Sequence, residues 1–145
     1  MHMRWMLTIT LYLLMPVQFA WSSDIVLRID AYRVNATVVN TPDGRKNGLM
    51  HKSYLCENCG MLFVFPISGK YKFWMKDTQL PLSIAFITAD GKIINIDEMQ
   101  ANSNNTHNPQ GNALYALEMN KGWFKQRAIM PEFRVEGLEL APPGY

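Results

Sequence analysis

From residue 24 onward the chain is a string of short period-two runs of apolar and polar positions, broken by turn residues. Ile25, Leu27 and Ile29 alternate with Val26, Arg28 and Asp30, and Tyr32, Val34, Ala36 and Val38 resume the period after a break. That spacing predicts strands with one buried face. "TPDGRKNGLM" (41–50) interrupts it and predicts a short helix, with Thr41 as its cap, Pro42 at the first helical position and Asp43 at the positive end. Gly44 and Gly48 oppose that helix, since glycine costs helix stability. "GMLFVF" (60–65) reads as a strand stopped by Pro66, and "YKFWMK" (71–76) as another, with Tyr71, Phe73 and Met75 opposite Lys72, Trp74 and Lys76.

"LPLSIAFITADGKIINID" (80–97) is the clearest hairpin. Leu82, Ile84 and Phe86 run into Asp90-Gly91, a pair suited to a two-residue turn of positive φ, and Ile94 and Ile96 return. "QANSNNTHNPQGN" (100–112) has no period and reads as a surface loop. "ALYALEMN" (113–120) is a further strand, "NKGWFKQRA" (120–128) a short helix capped by Asn120, and "FRVEGLEL" (133–140) a last strand. Short strands at regular spacing with one or two brief helices predict a mainly β domain, a compact single-domain β-barrel or sandwich.

The first 22 residues follow a different rule. A basic start at Arg4, an apolar run from Trp5 to Met15, and small residues Ala20 and Ser22 describe an export signal. The run is shorter than the roughly 20 residues that span a bilayer. The expectation is a signal peptide over 1–22, a single domain over 23–145, no membrane span after cleavage, and a periplasmic or secreted location. Losing Arg4 lowers the formal charge from +2 to about +1. The lysines and arginines are scattered, so nucleic acid, which needs them clustered, is not an expected partner.

Several stretches together resemble the widespread family called domain of unknown function 192. They are Arg45, "GLM" (48–50), "GMLFVF" (60–65), "FWMKDT" (73–78), "PL" (81–82), "DGKI" (90–93) and "LYALEMNKGW" (114–123), and they cover most of the chain after residue 22. The resemblance implies a compact, mainly β fold, often exported in bacteria, and no settled activity. Three departures stand out. Ser83 sits where the family usually has an acid, the late Gly-Asp turn expected near Met130–Phe133 is absent, and Cys56 and Cys59 occupy a loop where the family pattern asks for no cysteine.

Candidate chemistry falls in two places. Cys56 and Cys59 have the C-x-x-C form shared by redox pairs, metal knuckles and local disulfides. No helix pattern follows Cys59 to lower a thiol pKa, and a metal site would need two more ligands, for which His51 and His107 are the histidines on offer. The favoured reading is a disulfide clip, which suits an oxidising compartment; metal binding or thiol redox is the alternative. Met50, Met61, Met75, Met99, Met119 and Met130 suit copper(I) by type but core filling by pattern.

The second place joins "WMKDT" to "LEMNKGW". Glu118 shares a period with Leu114 and Ala116, which puts a carboxyl on an apolar face, where it needs a partner such as Lys76 or Arg45. Arg45, Trp74, Lys76, Thr78 and Glu118 are therefore the candidate ligand-binding residues, for a small molecule, glycan or peptide segment. No nucleophile elbow, phosphate loop or H-E-x-x-H motif occurs, and no motif implies a cofactor. An envelope-acting enzyme using Glu118 and Lys76 is a third reading, without a catalytic residue the sequence can assign.

Overall fold

The structure is a computed structural model and describes residues 23–145; the expected signal peptide lies outside the described residues. Seven strands form one curled sheet. In chain order they are β1 (Asp24–Ile29), β2 (Tyr32–Val39), β3 (Cys59–Gly69), β4 (Leu82–Ile87), β5 (Ile93–Met99), β6 (Ala113–Asn120) and β7 (Val135–Glu136). The spatial order is β5-β4-β6-β3-β2-β1-β7, and only β2 and β3 run parallel. The parallel step requires a crossover, and the chain makes it through helix α1 (Pro42–Asn47) and the turn that carries the cysteines. A second helix, α2 (Trp123–Gln126), and a 3-10 turn at Leu138–Leu140 complete the elements among the described residues.

Residues 132–136 draw the two ends of the sheet together. β7 pairs with β1 at Arg28–Glu136 and Ile29–Val135, while Arg134 bridges Lys92 beside β5. Backbone bonds from Ile93 to Phe133, Glu132 to Ile93 and Val135 to Gly91 run along the same seam. The exposed ion pairs Arg28–Glu136, Lys92–Glu132 and Arg134–Asp90 follow it, solvent-screened contacts that add little to stability.

The curl gives the sheet two different faces. The inner face packs Leu27, Ile29, Val34, Ala36, Leu62, Ala85, Ile87, Leu117 and Met119, closed at one end by Trp123 and Phe124 of α2. The outer face of β3, β6 and β4 packs Met61, Phe63, Phe65, Ile84, Phe86 and Ala116 beneath Leu49, Tyr71, Phe73 and Met75. β1 buries only its inward residues, as its alternation predicts. Every residue of β4 is buried, because that strand lies between two layers.

Several local expectations need correction. β3 runs through Pro66 to Gly69, with its pairing to β6 shifted between Val64 and Gly69; an irregular stretch of ladder tolerates a residue without an N–H. Segment 71–76 is no strand. It keeps the expected burial alternation, yet its one ladder contact is the bridge between Phe73 and His107. In the hairpin Gly91 has positive φ (88°) and Asp90 does not, and the loop closes with Thr88 bonded to Lys92. That is the longer hairpin with glycine at its left-handed position, in place of the two-residue turn. α2 starts at Gly122, while the Asn120 side chain holds Leu55 O and Cys56 O instead of capping. Residues 133–140 give only the two residues of β7 before the 3-10 turn. α1 forms as expected, with Thr41 Oγ1 accepting from Gly44 N.

Candidate functional site

The outer layer leaves a cavity of about 300 Å³ between α1, the 71–78 segment and the sheet. Its floor is Glu118 of β6, and aromatic residues Phe63, Phe65, Tyr71, Phe73 and Trp74 form much of its wall. The rings hold one another. Phe65 stacks on Tyr71 at 3.6 Å between centroids, and Phe73 meets Phe63, Phe65 and Phe86 edge-on. Trp74 differs, being half-exposed. Gly48 ends α1 at φ 46°, where a side chain would be strained, and a Cβ there would sit 3.3 Å from the Phe63 ring. Glycine thus lets α1 close down on the wall.

Glu118 is the unusual member. Its cross-strand neighbours are Met61 and Ile84, so the ladder surrounds it with apolar groups. It is 4% exposed. Among the described residues no hydrogen bond or ion pair reaches its carboxyl. Burial alone pushes its pKa up to about 8, so the group is protonated at neutral pH and offers both an O–H donor and a carbonyl acceptor to the cavity.

The ion pair expected for Glu118 does not form, for a definite reason in each case. Arg45 spends its guanidinium on backbone carbonyls: Nη1 donates to Asn40 O and Val64 O, and Nη2 to Tyr145 O. The same group lies 5.2 Å from the Phe65 centroid. Arg45 lines the cavity as a buttress, tying α1 to Asn40 just after β2, to Val64 within β3 and to Tyr145. Lys76 turns outward onto the Trp74 ring, 5.7 Å from its centroid, and does not line the cavity. Thr78 does line it, buried, with Oγ1 donating to Lys76 O. Of the five expected residues, four are brought together and Lys76 is not. Lys46, Tyr71 and Lys72 also line the cavity; the period-two alternation of 71–76 was the available signal for Tyr71, and α1 carries none for Lys46.

The remaining candidates separate from this site. Cys56 and Cys59 form a disulfide across a turn in which Cys59 N bonds Cys56 O. The clip stands beside α2, where Asn58 Oδ1 accepts from Trp123 Nε1 and Arg127 Nη2, and it does not line the cavity. His107 pairs with Asp97 at 3.2 Å on the outer loop, and His51 is exposed. Among the described residues no three His, Cys, Asp or Glu side chains cluster as a metal site. Met61 and Met75 fill the outer layer and Met119 the inner one; Met50 lines the cavity and Met130 is exposed. Ser83, which stands in place of an acid, is buried and donates to Glu98 while accepting from Gly122 N, so it fastens the start of α2.

A family model described as an uncharacterized ACR, DUF192, matches residues 25–137. The chain belongs to the DUF192 family. Two solved structures resemble it with a TM-score of 0.77 each. One, from Sinorhizobium meliloti 1021 and provisionally described as a transcription regulator, is 28% identical, with 82% of this chain and 97% of that one covered. The other, a protein of unknown function from Novosphingobium aromaticivorans DSM 12444, is 24% identical, covering 84% and 89% respectively. No curated protein matches the chain. The mainly β architecture is thus shared across these proteins.

Proposed function

We propose that this DUF192 chain is an exported ligand-binding module whose outer-face cavity takes a small molecule, a saccharide unit or a peptide side chain. The observation that carries the reading is Glu118, a buried carboxyl that has no partner among the described residues and opens onto an aromatic-walled cavity. Its residue is buried while its carboxyl keeps access to the cavity, so a ligand placed there can reach it. A cavity near 300 Å³ with apolar walls and a few polar groups fits the small end of ligand pockets. Export is supported by the pattern of residues 1–22 and by the disulfide, which suits an oxidising compartment. A DNA-binding role finds no support in charge, with 14 Lys and Arg against 12 Asp and Glu.

Saturation-transfer NMR with N-acetylglucosamine, benzoate, benzylamine and trialanine tests the site. Binding of at least one probe is expected, weakened severalfold by Trp74→Ala and much less by Lys76→Ala. If no probe binds, or if Trp74→Ala leaves every bound probe unaffected, the cavity is not the binding site.

A further inference from the structure

The charged groups around the cavity are sorted by depth, and the sorting specifies a ligand. The buried one is an acid, Glu118, on the floor; the exposed ones are bases, Lys46 and Lys72, at the mouth. Arg45 is the third base in the lining, but its contacts with Asn40 O, Val64 O and Tyr145 O hold it in place as part of the wall. Facing Glu118 from α1 are Arg45 and Lys46, and from the 71–78 segment Tyr71 and Lys72; β3 and β4 present Met61, Phe63 and Ile84, none of which titrates. Tyr71 already donates its hydroxyl to Ile67 O. Nothing among the described residues therefore answers the carboxyl.

A ligand with an ammonium group at one end answers it, because an N–H⁺ donor is the strongest hydrogen-bonding partner for a carboxylate. The aromatic walls favour the same group. Two rings of this cluster already carry a cation of the protein's own, Arg45 over Phe65 and Lys76 over Trp74. The bases at the mouth would oppose a simple cation, yet they would hold an acidic group at the ligand's other end. We propose that the cavity binds a small zwitterion, its ammonium lodged against Glu118 and its carboxylate held at the mouth by Lys46 and Lys72. This rests on the ligand-binding reading above and narrows it to one chemical class.

Binding carries a proton balance. The ammonium keeps its own proton, Glu118 changes from carboxylic acid to carboxylate, and the proton it loses passes to the buffer. With a free-state pKa of about 8, about 0.9 proton is released per ligand at pH 7. Only the ionised form pairs with the ammonium, so affinity rises about tenfold between pH 7 and pH 9.

The test is calorimetry on the protein expressed from its full sequence, in two buffers of different ionisation enthalpy. The probes are 6-aminohexanoate, hexylamine, hexanoate and 6-hydroxyhexanoate. The expected result is that 6-aminohexanoate binds tightest and releases close to one proton at pH 7. Glu118→Gln weakens it at least tenfold and abolishes the release, while Lys46→Ala with Lys72→Ala weakens it severalfold and leaves the release intact. The proton count on the unaltered protein decides the matter even if a variant folds poorly. Hexanoate or 6-hydroxyhexanoate binding as tightly as 6-aminohexanoate without proton release overturns the zwitterion and leaves the cavity reading standing. Failure of all four probes overturns it too, and the broader probe set above then decides whether the cavity binds anything.

Discussion

The two faces of the sheet differ in what holds them. The inner face is built by strands on strands, entirely apolar along β1, β2 and β6, and plugged by Trp123 and Phe124. The outer face is covered by a short helix and by a segment that is not a strand, locked by ring-on-ring contacts among Phe63, Phe65, Tyr71 and Phe73. Leu117 and Glu118 are adjacent in β6 and point to opposite faces. One is a core leucine and the other an acid with no partner among the described residues. The inner face supplies the stability that lets the outer one keep a cavity and a carboxyl that cost some of it.

The largest expected effect follows from that acid. Folding raises the Glu118 pKa to about 8 from an ordinary 4.5, so between these values the folded protein holds a proton that the unfolded chain has released. The corresponding stability is fully present below about pH 4.5 and is lost as pH rises through 8. Urea unfolding should show stability falling by several kcal/mol between pH 5 and pH 8.5, and Glu118→Gln should remove most of that slope. An unchanged slope in the variant would mean that another group carries it.

The next prediction sets the faces against each other. Leu117→Ala, on the inner face, should cost about 2–5 kcal/mol. Glu118→Leu, one residue away, should be neutral or stabilising at neutral pH, because it replaces an unpartnered buried acid with an apolar side chain. Denaturation midpoints of the two variants check this; similar losses in both would erase the distinction.

A smaller effect is expected at the disulfide. Closing so short a loop removes little chain entropy, so Cys56→Ser with Cys59→Ser should cost about 1–2 kcal/mol. The clip stands apart from the cavity lining, so probe affinity should be unchanged. Smallest is Lys76→Ala. An exposed cation–π contact is worth about 0.5–1 kcal/mol, and the melting temperature should move by a few degrees at most.

The inner face was largely legible in the sequence, because period-two alternation in β1 and β2 reports a single buried side directly. The outer face was legible only in part. β4 is buried on both sides, so its own pattern cannot say which residues face which layer. The alternation of 71–76 reported burial correctly, but that segment packs on a sheet without joining its ladder, and a period of two does not distinguish these cases. Glu118 stood out because a carboxyl shared a period with Leu114 and Ala116, whereas Arg45, Trp74 and Thr78, which also line the cavity, came from neighbouring stretches and not from a period of their own. Lys76 lies on the Trp74 face and off the cavity lining, a choice of partner that the sequence alone does not indicate. The three carbonyls that occupy Arg45 come from Asn40, Val64 and Tyr145, which lie far apart in the chain, and no local pattern announces them.

The most direct measurement is the ionisation of Glu118 itself, followed by the carbon-13 shift of its side-chain carboxyl in the ligand-free protein across pH 4 to 10. A midpoint near 8 is the predicted result, since no cation or donor among the described residues reaches the group. A midpoint in the ordinary carboxylate range would show that Glu118 has a partner or open water around it, and would contradict the account of an acid held ready for a ligand.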